Sequence, residues 1–132
     1  MTETITSAIV VGEPVCATAV ADALRACGVR VVGLIEDDGG IERGLALGPD
    51  LAVVSVAHGA EMWAYRIGHE AAAAGVGAIF VVAVAGAPTV ESLVNAVPGS
   101  LAITLPLSPT EIRAKVAEAL AARGTDRRAI RP

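Results

Sequence analysis

Aromatic side chains are almost missing from this 132-residue chain, which has one Trp, one Tyr and one Phe. That scarcity argues against a flavin site, which wants flanking aromatics and a Ser/Thr-rich phosphate loop where this chain has Gly12-Glu13-Pro14-Val15. Gly12 is also the lone glycine of that segment, so the three spaced glycines of a dinucleotide loop are missing. Neither a P-loop nor the Asp-x-His-x-x-Gly of a cobalamin site occurs, and no cofactor is implied. Lysine is reduced to Lys115, far from any strand end. The two cysteines, Cys16 and Cys27, fall in one predicted helix at about 16 Å separation for a rise of ~1.5 Å per residue. A disulfide needs Cα atoms within roughly 7 Å, so both are expected as free thiols packing like small apolar groups, and no metal-ligand spacing is present.

Long apolar runs are missing too. Mean hydropathy is +0.62, yet no uninterrupted apolar stretch approaches the ~20 residues of a membrane span. The longest, residues 78–87, reads as a strand buried on both faces of a parallel sheet. The start, Met1-Thr2-Glu3-Thr4, has no basic secretory signal, and a cytoplasmic location is expected.

The composition, 54% apolar residues in a chain of this length, suits one domain around a single core. The formal net charge of −4 gives the body no general attraction for phosphate backbones, so this domain is not expected to bind nucleic acid itself. Charge is uneven, however. Arg123, Arg127, Arg128 and Arg131 face only Asp126 near the end. We therefore divide the chain into a domain over 1–123 and a basic tail or linker start over 124–132, which could lead into a DNA-binding output domain.

Five β-branched apolar runs, Ala8–Val11, Val29–Ile35, Leu51–Val56, Ala78–Val84 and Leu101–Leu105, alternate with helical patterns at 15–27, 40–47, 60–74, 89–97 and 109–123. Strict alternation with short connections predicts an α/β fold of three layers, a five-stranded parallel sheet covered on both faces by right-handed crossovers. Ser108-Pro109-Thr110-Glu111 reads as a capping box, followed by a sheet-facing stripe of Ile112, Val116 and Leu120 and an exposed Glu111–Lys115 pair. Thr18, Asp22 and Arg25 mark the wet face of the first helix. Gly28, Gly48, Gly75 and Gly99 stand where helices should stop. Gly39, Gly40 and Gly44 weaken the second helical pattern.

Ligands of open parallel sheets bind at the carboxyl ends of the strands. Here those ends carry Val11-Gly12-Glu13-Pro14, Ile35-Glu36-Asp37-Asp38, Ser55-Val56-Ala57-His58, Val82-Ala83-Val84 and Thr104-Leu105-Pro106-Leu107. Together with Gly48-Pro49-Asp50-Leu51 before the third strand and Leu105-Pro106-Leu107-Ser108-Pro109 after the fifth, this layout resembles the receiver domain of bacterial response regulators over residues 5–123. The resemblance implies a flavodoxin-like, CheY-like fold with strand order 2-1-3-4-5, and a Leu105-Pro106 peptide that is cis. Receivers accept a phosphoryl group on an aspartate ending the third strand, where this chain has Ser55. Their metal-holding acidic pair corresponds to Val11 and Gly12, or to Gly12 and Glu13. The strand-four hydroxyl residue corresponds to Val82, and the lysine before proline to Leu105.

The direction of these changes has a physical consequence. Mg²⁺ wants several oxygens in octahedral array, which one carboxylate in an apolar pocket does not supply. Phosphoryl transfer relies on positioning and charge neutralisation. Val11, Val82 and Leu105 are expected to fill the degenerate pocket, gaining about 1.5–3 kcal/mol for each fully buried side chain. No catalytic residue and no metal ligand is assigned.

Other residues have plain readings. Ser55 is expected as a small buried hydroxyl, His58 in an exposed loop and His69 on the wet face of the third helix. Glu36-Asp37-Asp38 is a solvated turn at a helix start, with a cation site shared with Glu13 as the sharper alternative. Trp63 and Ile67 read as packing residues. The resulting expectation is a non-enzymatic, phosphorylation-independent receiver-like domain, working through a protein partner or a homodimer in bacterial signalling or transcription control. The resemblance points to the face made by the fourth and fifth helices and the fifth strand. Thr89, Glu91, Ser92 and Asn95 lie on one side of that face, and Arg113, Lys115 and Glu118 on the other. Two rival readings are a small-molecule sensor using the former phosphorylation pocket and, more remotely, an enzyme built on Ser55, His58 or the 36–38 acids.

Overall fold

The computed structural model describes residues 6–56, 61–82, 92, 94–97, 99–105 and 107–130. Five strands, β1 (Ser7–Val11), β2 (Arg30–Ile35), β3 (Leu51–Ser55), β4 (Gly77–Val82) and β5 (Leu101–Thr104), form one parallel sheet in the order β2-β1-β3-β4-β5. Its helices are α1 (Pro14–Ala26), α2 (Asp38–Ala46), α3 (Glu61–Ala73) and a C-terminal helix (Pro109–Ile130). Ser92 and residues 94–96 are also helical. This is the alternating architecture and strand order expected from the sequence.

Both faces of the sheet are dry because alternate residues of each strand are apolar in both directions. On one face Ala8, Val10, Leu51, Val53, Ile79, Val81 and Ile103 pack against α1 and against Ile112, Val116 and Ala119 of the C-terminal helix. On the other, Ile9, Val11, Ala52, Val54, Ala78 and Phe80 meet α2, α3 and Val97. The glycines of α2 have a tertiary reason: a Cβ on Gly44 would overlap Ile35 Cδ1, and one on Gly40 would lie 3.1 Å from Ile35 Cγ2. Their absence of side chains lets α2 lie down on β2, which offsets their poor helix propensity.

Caps follow the sequence closely. Asp37 Oδ1 accepts from the Gly40 amide at 2.9 Å and starts α2, as carboxylates do at helix N-termini. Gly28, Gly48, Gly75 and Gly99 all have positive φ. Ile112 and Val116 are buried and Leu120 is half-buried on the sheet side, and the Glu111 amide reaches Ser108 Oγ at 3.5 Å.

Three expectations are corrected. Lys115 Nζ lies 3.8 Å from Glu118 Oε2, one turn on, instead of pairing with Glu111. Cys16 is exposed, since it shares the outer face of α1 with Val15 and Thr18; Cys27 is the one that packs on the core. The last helix does not stop at Arg123 but continues as backbone helix to Ile130, across the boundary drawn from composition. No helix among the described residues is long and apolar enough to cross a membrane.

Candidate functional site

The carboxyl ends of β1, β3, β4 and β5 lie side by side because β1 and β3 are neighbours and β4 pairs with both β3 and β5. Val11 ends β1 with no exposed surface, between Ile35 of β2 and Val54 of β3. After it, the chain turns at buried Gly12, whose amide donates to the Ile35 carbonyl at 2.9 Å. Gly12 has φ +156°, and a Cβ built on it would stand 2.9 Å from Ser55 Cβ. Gly12 and Ser55 are therefore packed against each other across β1 and β3, and the half-buried serine occupies the space beside the turn.

Glu13 is exposed. It is the N-cap residue of α1 through its backbone, its carbonyl accepting from the Ala17 amide at 2.7 Å, while its carboxylate makes no capping bond. Glu36 and Asp37 are exposed at the end of β2, and Asp37 is engaged at the α2 cap. Adjacent strand ends thus carry carboxylates, yet among the described residues no three potential ligand side chains converge on a metal position.

Val82 is buried at 4% exposure and pairs with Thr104. The Leu105 amide donates to the Val82 carbonyl at 2.9 Å. Leu105 was expected to fill the pocket, but it is 44% exposed. It stands one residue beyond β5, where the sheet no longer covers it. Gly12 and Ser55 thus pack against each other at the strand ends, Val11 faces the other side of the sheet with Val54 and Phe80, and strand alternation sends Val82 the same way.

The remaining candidates are dispersed. Ile67 is core, and Trp63 packs partly against the same cluster. His69 is exposed on α3 and meets the Tyr65 ring edge-on at 4.4 Å between centroids. His58, Thr89, Glu91 and the Leu105–Pro106 peptide lie outside the described residues. Ser92, Asn95 and Glu118 are exposed, and Lys115 is half-buried. Arg113 is exposed and lines a groove with Cys27, Gly28 and Val29 at the end of α1. Sequence reading passed over one polar element, the Ser7–Asp50 pair at the opposite end of the sheet. Ser7 N donates to Asp50 Oδ2 at 3.0 Å, and the Ser7 hydroxyl reaches the same oxygen at 3.4 Å. Its signal was a carboxylate directly before an apolar strand, an unusual residue to leave unexplained.

No family model and no curated protein matches the sequence. Solved structures do match the fold. The signal receiver domain of a modulated diguanylate cyclase from Desulfovibrio desulfuricans G20 aligns with TM-score 0.73 and 17% identity, over 93% of this chain and 99% of that one. A CheY-like response regulator receiver domain protein from Methanospirillum hungatei JF-1 aligns with TM-score 0.65 and 17% identity, over 93% and 99%. NtrX from Brucella abortus aligns with TM-score 0.75 and 14% identity, over 96% of this chain but only 28% of that one. Strand order, helix placement and these alignments agree: the chain has the CheY-like receiver fold.

Proposed function

We propose that this domain is a signalling module that works through protein contacts and takes no phosphoryl group on an aspartate. One observation carries the reading. At the end of β3, where a receiver presents its acceptor, a serine, Ser55, packs on Gly12. Among the described residues no group of three His, Cys, Asp or Glu side chains could hold a divalent cation there. The Gly12–Ser55 packing also weighs against an open ligand cavity between β1 and β3, and so against the sensor reading.

The partner-facing surface in this reading includes Ser92 and Asn95 with Lys115 and Glu118, and the partner is another regulatory protein or a second copy. An output domain following the basic C-terminal helix would fit the same role, with transcription control as the outcome. The test is incubation with acetyl phosphate, or beryllofluoride, in the presence of Mg²⁺. Intact mass, melting temperature and oligomeric state should all stay unchanged. A Mg²⁺-dependent change in any of the three overturns the proposal.

A further inference from the structure

The C-terminal helix leaves the sheet partway along its length. Ile112, Val116 and Ala119 are buried on the sheet side, and a Cβ on Gly77, the first residue of β4, would stand 3.7 Å from Ala119 Cβ. Leu120 lines a groove with Thr6, Gly28 and Val29, residues that precede β1 and β2. By residue 120 the helix has therefore reached the amino edge of the sheet, and its backbone runs on to Ile130. At a rise of ~1.5 Å per residue, residues 121–130 carry it about 15 Å further.

The sequence changes at the same point. Helical periodicity continues the sheet-facing stripe of Val116 and Leu120 through Arg123 and Arg127. A position that is apolar over the sheet is thus arginine beyond it. Residues 121–132 hold Arg123, Arg127, Arg128 and Arg131 against Asp126, with no lysine. Charge elsewhere is held apart from this stretch. Glu13, Glu36 and Asp37 are exposed at the carboxyl ends of β1 and β2, a strand length of roughly 17 Å away. That exceeds the ~10 Å over which charge acts at about 0.1 M salt. At the amino end, Asp50 is engaged by Ser7, and Glu70 belongs to α3, across the sheet.

We infer that the overhanging part of this helix, residues 121–130, binds the phosphate backbone of a nucleic-acid duplex without reading its sequence. The charge pattern picks the occupant. Guanidinium forks match phosphate oxygens, and phosphate contacts alone carry no sequence information. A second copy of the helix would set Arg123 and Arg127 against their own kind, and like charges across an interface oppose it. A helix lying on a membrane needs large apolar residues opposite its cations, whereas the apolar side chains from 121 to 129 are all alanine. The body of the domain, acidic overall, takes no part. This contact lies beyond the protein-facing surface proposed above and does not depend on it.

Fluorescence anisotropy of a labelled DNA duplex of about 20 base pairs and arbitrary sequence, titrated with the full chain between about 50 and 200 mM salt, tests this. The dissociation constant should be on the order of 10⁻⁴ M at about 50 mM salt, and log K should fall against log[salt] with a slope of about −3. Arg127→Ala combined with Arg128→Ala should bring the slope to about −1, with an unchanged circular dichroism spectrum confirming the fold. Arg25→Ala, which removes the arginine paired with Asp22 on α1, should leave affinity and slope as they are. Absence of binding at about 1 mM protein, a slope that survives the paired change, or an equal loss in Arg25→Ala overturns the inference. Vesicles containing phosphatidylserine should bind more weakly than the duplex at equal phosphate concentration. Tighter binding to the vesicles would overturn it in favour of a membrane surface.

Discussion

At the amino end of the sheet, Asp50 Oδ2 takes hydrogen bonds from the amide and the hydroxyl of Ser7, and the Asp50 carbonyl accepts from Gly77 at 3.1 Å. At the carboxyl end, Gly12 and Ser55 meet through carbon, a Cβ on the glycine standing 2.9 Å from Ser55 Cβ. The charged residue sits where it ties the starts of β1, β3 and β4 together. At the end where parallel sheets bind ligands, the contact described between β1 and β3 is one of packing. An acidic group beside a strand is thus read by its end of the sheet: at the amino end it holds strands, and at the carboxyl end it would do chemistry.

That contrast breaks most severely at Gly12. Gly12→Val places a branched side chain where a single Cβ already comes within 2.9 Å of Ser55 Cβ, on a backbone of φ +156°. Overpacking and backbone strain together should destabilise the fold by about 3 kcal/mol or more. Urea denaturation with unchanged slope would measure it. A loss under about 1 kcal/mol would mean that β1 and β3 do not pack through these two residues.

The amino end should yield less. Asp50→Ala removes a partly buried carboxylate that accepts two hydrogen bonds from Ser7, and about 1.5–3 kcal/mol should be lost. Ser7→Ala alone should cost less, because the Ser7 amide still donates to Asp50. A double-mutant cycle should return a coupling energy of at least about 0.5 kcal/mol. Additive losses would show that the two side chains act separately.

Much of this was legible beforehand, for reasons that particular residues make plain. Alternation between β-branched runs and helical periods located all five strands to within about two residues, the usual uncertainty of element ends. Gly28, Gly48, Gly75 and Gly99 announced helix ends because only glycine adopts positive φ there freely. The helix with Gly40 and Gly44 looked weak because propensity is local, whereas the contact of Gly44 with Ile35 is tertiary. Leu105 was misplaced because apolar character says nothing about whether the sheet extends far enough to cover a residue. At the site, the identities of Val11, Gly12, Ser55 and Val82 could be read from strand order. The packing of Gly12 on Ser55 could not, since it depends on β1 and β3 being neighbours though α1, β2 and α2 intervene in sequence. Asp50 escaped for a similar reason: its partner Ser7 lies 43 residues away.

The finest test of the contrast puts chemistry back at the carboxyl end. Ser55→Asp restores a carboxylate at the end of β3 but leaves Val11, Gly12, Val82 and Leu105 in place. The new group stands beside Gly12, which the exposed Glu13 follows in sequence. Partial burial of a charge without partners should lower stability by about 1 kcal/mol. Mg²⁺ should not recover that loss, because the site still falls short of the oxygens a hard cation needs. Acetyl phosphate should leave the variant unmodified by mass, because lysine and metal are what neutralise the transferred group. Modification of Ser55→Asp with the wild type unmodified would mean that only the acceptor had been lost. The carboxyl end would then be compatible with phosphoryl transfer, and the division between the two ends would rest on one side chain.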